Sequence, residues 1–235
     1  MNKKQQKKSF SREDVNCVID RYEKRYDEYG YSPQTLGWVK GKQGIRFGSL
    51  TSEYNFENKH ILDIGCGFGD LIKTLQRKTR SFEYTGVELV EKLLHEARKH
   101  YHGDNIHFIK QNILDFTPDI LYDYVISSGI FNFRLSEDNN YEFIEQVIAK
   151  ALSITRDGLA FDFLSDKVDF FKYDYTFHSS PEKILAIAYK YSRNVILRND
   201  YMPFEFSIFI FKDDNFDKMD TVFSLYKGSN KHFLK

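Results

Sequence analysis

Ile61-Leu62-Asp63-Ile64-Gly65-Cys66-Gly67-Phe68-Gly69-Asp70 is the stretch around which the chain is organised. Its apolar run of Ile61, Leu62 and Ile64 stops at three alternating glycines. A helix-compatible segment, Leu71 to Lys78, follows, so the stretch reads as strand, tight turn, helix. Glycine belongs in such a turn because a side chain would obstruct both positive φ angles and the approach of a ligand to the main chain. The next helix then offers free N–H groups and partial positive charge above the strand end. A dinucleotide fingerprint spaces its glycines G-x-G-x-x-G, whereas here the pattern is G-x-G-x-G and Asp70 stands where the last glycine would fall. Asp63, just ahead of the first glycine, would repel a pyrophosphate and attract a cationic amine. The spacing favours an aminoacyl ligand over a phosphate.

Outward from this turn the pattern alternates regularly. Tyr84 to Glu88 reads as a second strand ending in an acid, Leu89 to Tyr101 as a helix, and Ile106 to Lys110 as a third strand. Tyr122 to Gly129 is a fourth strand with its exit, Asn139 to Thr155 a helix, Gly158 to Leu164 a fifth strand and Pro181 to Tyr191 a further helix. Between the fifth strand and that helix, Ser165 to Ser180 is a polar and aromatic insertion of the kind that carries specificity. Two last strands, Asn194 to Arg198 and Phe204 to Lys212, are joined by a link long enough for a hairpin and too short for a parallel crossover. Upstream, Ser11 caps a helix with Val15, Val18, Ile19, Tyr22, Tyr26 and Tyr29 at helical spacing, ending at Gly30. Pro33 to Phe47 combines glycines with Trp38, Lys40, Lys42 and Arg46 and reads either as a lid or as an ordinary surface connection.

The bulk properties narrow the classes. A chain of 235 residues suits one well-buried domain with decoration. The 34 basic and 34 acidic side chains balance, so no global field argues for nucleic acid or a membrane surface. Cys17 and Cys66 fall in a helix and in the glycine turn, which argues against a structural disulfide and for a reducing compartment. No metal-ligand spacing, membrane span or signal peptide is legible, and the expected location is cytoplasmic. The basic run Lys3 to Lys8 reads as a solvated tail.

Asp63-Ile64-Gly65-Cys66-Gly67-Phe68-Gly69 resembles the first motif of the class I S-adenosylmethionine-dependent methyltransferases, and the segment from Glu57 to Lys212 is similar to their overall plan. The resemblance implies an α/β fold: a Rossmann-like doubly wound seven-stranded sheet with an antiparallel last strand, here with an N-terminal helical cap. The expected organisation is a tail and cap over 1–57, a methyltransferase core over 58–213 and a C-terminal extension over 214–235. The implied cofactor is S-adenosylmethionine, held by Asp63, Gly65, Cys66, Gly67 and Gly69. Glu88, with Leu89 beside it, would accept hydrogen bonds from the ribose hydroxyls. Asn112 and Ile113 take the adenine position, where the family often has aspartate; Asp115 competes for that role. Ser128 and Asn132 at the fourth-strand exit face the reacting end, and Trp38 and Arg46 are candidates from the segment that commonly closes over the cofactor. Asn132 is a catalytic candidate that could orient a substrate oxygen or nitrogen. His178, in an active-face loop, is the best-placed histidine for a general base, with a bystander role as its alternative.

The fourth-strand exit and the closing hairpin further resemble small bacterial methyltransferases associated with surface-polysaccharide or small-metabolite clusters. The expected activity is methyl transfer to a small-molecule acceptor, O-directed, on a sugar or phosphorylated metabolite. An RNA or protein methyltransferase, and a S-adenosylmethionine-binding protein without transfer activity, are the alternatives. No nucleic-acid partner is expected, and the oligomeric state is not legible.

Overall fold

The computed structural model of the chain describes residues 9–37 and 42–212. Trp38, the basic run over 3–8 and the C-terminal extension over 214–235 lie outside the described residues. A parallel core forms where apolar alternation is strongest: β1 (Lys59–Ile64), β2 (Phe82–Glu88), β3 (Ile106–Lys110), β4 (Tyr122–Ser127) and β5 (Thr155–Leu164), followed by β6 (Val195–Arg198) and β7 (Glu205–Phe211). They make one seven-stranded sheet in the order β3-β2-β1-β4-β5-β7-β6. β7 runs antiparallel to both β5 and β6, so the hairpin read from the short final link is present, and the doubly wound sheet carries the expected reversed last strand.

Helices cover both faces because the strand residues alternate between them. Leu62 and Ile64 point to a core shared with α5 (Asn140–Ser153) and α6 (Pro181–Ala188), through Ile144, Val147, Ile148 and Ile184. Ile61 points the other way, to a core shared with α2 (Gln43–Leu50), α3 (Leu71–Lys78) and α4 (Glu91–His100), through Leu50, Ile72, Leu75 and Leu94. The strong alternation of β1 thus sets both layers at once.

The cap is α1 (Arg12–Tyr29), which starts with a complete capping box between Ser11 and Asp14 and stops at Gly30. It crosses the carboxyl edge of the sheet and is tied at both ends. Asp14 accepts from the Ser136 amide at 2.9 Å, and the Tyr26 hydroxyl donates to Glu96 at 2.7 Å. Val15 and Val18 touch the first core, while Ile19, Tyr22 and Tyr26 pack on Phe68, Val90 and Leu93. The segment expected as a lid or a connection resolves into turns over 32–37 and the helix α2, whose Phe47 and Leu50 are buried. The insertion between β5 and α6 is pinned by bridges of Phe133 with Thr176 and of Ser165 with Ser179.

Candidate active site

The carboxyl ends of β1, β2 and β4 come level because their registers pair Ile64 with Val87 and with Ser127. Beyond them the chain bends through Gly65, Gly67 and Gly69 at φ of +67°, +55° and +77°. At Gly65 the conformation and the space both demand glycine, since a Cβ would lie 2.2 Å from Cγ2 of Ile130. The bend is held by the second strand: Glu88 accepts from the Gly67 amide at 3.0 Å with one oxygen, and from the Leu89 and Val90 amides at 2.7 and 3.1 Å with the other. The acid at the end of β2 therefore fastens the glycine turn.

Above these strand ends is a cavity of about 310 Å³. Its floor includes Asp63, Gly65, Cys66, Gly67, Glu88 and Leu89, and Asn112, Ile113, Ser128 and Asn132 continue the wall. Arg46 also lines it; of the sequence-derived cofactor set Gly69 is absent from the wall, and Trp38 lies outside the described residues. Gly69 shapes the turn from behind, donating its amide to the Cys66 carbonyl at 2.8 Å. Cys66 turns its sulfur toward Gly86, where an added Cβ would come within 2.6 Å of it, and burial pushes its thiol well above the usual range. It serves the cavity through backbone, not as a nucleophile.

Asp63 is the electrostatic focus. It is 4 % exposed, its hydrogen bond among the described residues comes from the Tyr84 hydroxyl at 2.7 Å, and no cation there pairs with it. Burial pushes its carboxyl up to about 7; the Tyr84 bond opposes that shift, while the charges of Glu88 and Asp70 add to it. A buried carboxylate bordering a cavity and lacking a cation suits a ligand that brings one, and the α-ammonium of S-adenosylmethionine is such a group. The residues present fit the cofactor. Because the folded pKa lies above the ordinary 3.8, Asp63 makes the ligand-free protein less stable as pH rises from about 4 to about 7, and the ionised form needed by an ammonium accumulates over the top of that window. Affinity for S-adenosylhomocysteine should therefore rise roughly eightfold from pH 6 to pH 7.5, as the ionised fraction does. Calorimetry across that range should show it, with Asp63→Asn flattening the profile; a flat wild-type profile would remove this role.

Three candidates change on inspection. Asn112 spends its side-chain oxygen on the Leu114 amide at 3.0 Å, so the acceptor half of the expected pairing is already engaged. Asp115 is not part of the wall. His178 is also absent from it. Its Nδ1 lies 2.7 Å from the Ser165 carbonyl and its ring meets Phe170 edge-on, an arrangement that anchors the insertion instead of presenting a base. Among the described residues no histidine lines the cavity. His178→Ala should leave turnover within about threefold while lowering thermal stability; a loss of 10²-fold or more, the size of general-base catalysis, would reinstate it.

Sequence reasoning missed part of the cap. Val18, Arg21, Tyr22 and Arg25 on α1, and Tyr175 and Thr176 of the insertion, complete the enclosure. A signal was available, because positions 18, 21, 22 and 25 share one helical face, and two arginines on that otherwise apolar stripe mark it as more than packing. Asp162, a carboxylate inside β5, supports the wall from behind: it accepts from the Ser128 hydroxyl at 2.5 Å and the Gly129 amide at 2.7 Å. Burial raises its carboxyl to about 6, opposed by Arg46.

An open α/β sheet with a reversed seventh strand, a glycine bend and an acid at the second strand end defines a nucleoside-binding domain of the methyltransferase type. Comparison agrees. A methyltransferase domain family matches residues 61–158. A Mycobacterium tuberculosis protein named as a methyltransferase is 31% identical over 157 residues, covering 65% of this chain and 92% of that one. Among solved structures, magnesium protoporphyrin IX methyltransferase from Synechocystis with bound S-adenosylhomocysteine superposes with a TM-score of 0.58 at 16% identity, over 84% of this chain and 95% of that one. DhpI with bound S-adenosylhomocysteine gives 0.61 at 17%, over 83% and 95%. At these identities the structural likeness is one of fold. The chain belongs to the class I S-adenosylmethionine-dependent methyltransferases, whose methyl donor is S-adenosylmethionine.

Proposed function

We propose that the enzyme methylates an oxygen of a small-molecule acceptor, a sugar or phosphorylated metabolite, in the cavity between the strand ends and the cap. The observation that carries this reading is the enclosure itself: α1, α2 and the insertion all contribute to the wall, so the acceptor must fit beneath them. An extended nucleic acid would call for an open basic face, and the charges of the chain balance. Among the described residues, no helix is long and apolar enough to cross a membrane.

The bound cofactor supplies an activated methyl group on sulfur. The rest is positioning: the cavity residues would hold an acceptor oxygen in line with that methyl group and keep water out, and the barrier would fall chiefly through this alignment and exclusion. Asn132 borders the reacting end and is fixed there by its bond from the Leu164 amide at 3.3 Å, which leaves its NH₂ to orient the acceptor oxygen. Ser128 donates its proton to Asp162 and so turns lone pairs outward. With no histidine among the described residues of the wall, an acceptor oxygen that is already anionic suits the site best. The test is a methyl-release assay over sugar phosphates, small carboxylates, nucleotides and bulk RNA. Turnover of a phosphate- or carboxylate-bearing small molecule is expected; methylation confined to RNA would reverse the assignment.

A further inference from the structure

Among the described residues three cations line the cavity, Arg21, Arg25 and Arg46, and two of them have structural employment. Arg46, from α2, closes its guanidinium fork on both oxygens of Glu205 in β7, with Asp162 close enough to feel its charge. Arg25 donates Nε to the Thr35 carbonyl at 2.9 Å and a further N–H to the Gln34 carbonyl, holding the turn that follows α1. Arg134, the other arginine that the sequence offers near the β4 exit, is absent from the wall and donates to the Asp174 carbonyl and to Asp138.

Arg21 differs. It is half-buried, and its guanidinium carbon sits 4.9 Å above the ring of Tyr175, which itself stacks on Tyr173 at 5.4 Å. Among the described residues it has neither a carboxylate partner nor a hydrogen bond. A guanidinium held over an aromatic ring is attracted to the ring's face without spending its N–H donors, which stay available in a fork that matches an oxyanion. The two supports come from different parts of the chain, α1 and the insertion, so the group is placed before any ligand arrives. The floor below carries Asp63 and Glu88, which repel an anion and attract the cationic end of the cofactor. The cavity is thus acidic at the strand ends and basic along the cap.

We infer that Arg21, stacked on Tyr175, is the receptor for an anionic group, phosphate or carboxylate, carried by the methyl acceptor. This rests on the methyltransferase reading above and sharpens it, since a neutral sugar would leave Arg21 unmatched. The experiment titrates inorganic phosphate, and separately citrate, into full-length protein saturated with S-adenosylhomocysteine at constant ionic strength, for wild type, R21Q and R21K. At least one anion should bind wild type and bind R21Q at least tenfold more weakly, with R21K between them. Affinity for S-adenosylhomocysteine should stay within twofold throughout. Preference for phosphate or for citrate then tells a phosphorylated acceptor from a carboxylated one. If neither anion binds the loaded wild type, if R21Q binds them equally, or if R21Q loses the cofactor instead, the assignment of Arg21 is overturned. If wild type fails to take up S-adenosylhomocysteine at all, it is the functional reading that fails, so the two failures are separable.

Discussion

Glu88→Ala should weaken S-adenosylhomocysteine binding by about 100-fold or more. Hydrogen bonds to a charged group are worth about 1.5–3 kcal/mol each, and two ribose hydroxyls on one carboxylate amount to roughly 3 kcal/mol or more, at about 1.4 kcal/mol per decade. A second loss compounds the first, because Glu88 also accepts from the amides of Gly67, Leu89 and Val90, and without it the glycine bend loses its brace. Burial raises the Glu88 carboxyl above its ordinary value in spite of those three bonds, so removing the charge also relieves a desolvation cost. The variant should therefore lose cofactor affinity far more than it loses stability. Glu88→Gln should fall between, since its carbonyl oxygen can serve Leu89 and Val90 while its NH₂ group meets the Gly67 amide donor to donor. Calorimetry for binding and thermal denaturation for folding separate the two effects. Near-wild-type affinity in Glu88→Ala would mean that the sugar is held elsewhere.

At Gly65 the expected loss is in folding. Alanine there must adopt a φ of +67° and place its Cβ 2.2 Å from Ile130 Cγ2, a β-branched side chain with little rotamer freedom. The left-handed backbone costs about 1–2 kcal/mol and the overlap about 1–3 kcal/mol, so Gly65→Ala should be destabilised by roughly 2–5 kcal/mol in urea denaturation. That is a large share of the stability of a domain this size, typically about 5–15 kcal/mol. Gly48, within α2, is the matched control: nothing lies within 4 Å of an added Cβ and its φ is ordinary, so Gly48→Ala should gain about 0.5–1 kcal/mol. Two glycine-to-alanine changes with opposite signs would locate the demand in the turn. Equal effects would show that the turn tolerates a side chain and that its glycines answer to the ligand alone.

Local chemistry was enough for the scaffold. The apolar run of β1, the glycines behind it, the Ser11 cap, the acid closing β2 and the short link between β6 and β7 each state a conformation within a few residues. The reversed last strand follows from the short link before it, while the doubly wound sheet as a whole was what the resemblance of these elements, in this sequence, to the methyltransferase plan implied. The cavity floor was legible for the same reason, being made of strand ends and the turns directly after them. The acceptor side was not. Arg46 meets Glu205 across 159 positions, which turns a residue that looked free for a ligand into part of the frame. His178 sits in a loop on the correct edge of the sheet, yet the path of the insertion turns its ring to the Ser165 carbonyl. Arg21 reads as part of an arginine-bearing helical stripe, and its purpose shows only when the insertion after β5 brings Tyr175 beneath it. Backbone conformation is decided by neighbours in the chain, and so the sequence alone determined the fold, the glycine cradle and its acid. Whether a charged side chain is spent on another residue or left to face a ligand depends on neighbours in space, and that only the tertiary structure decided.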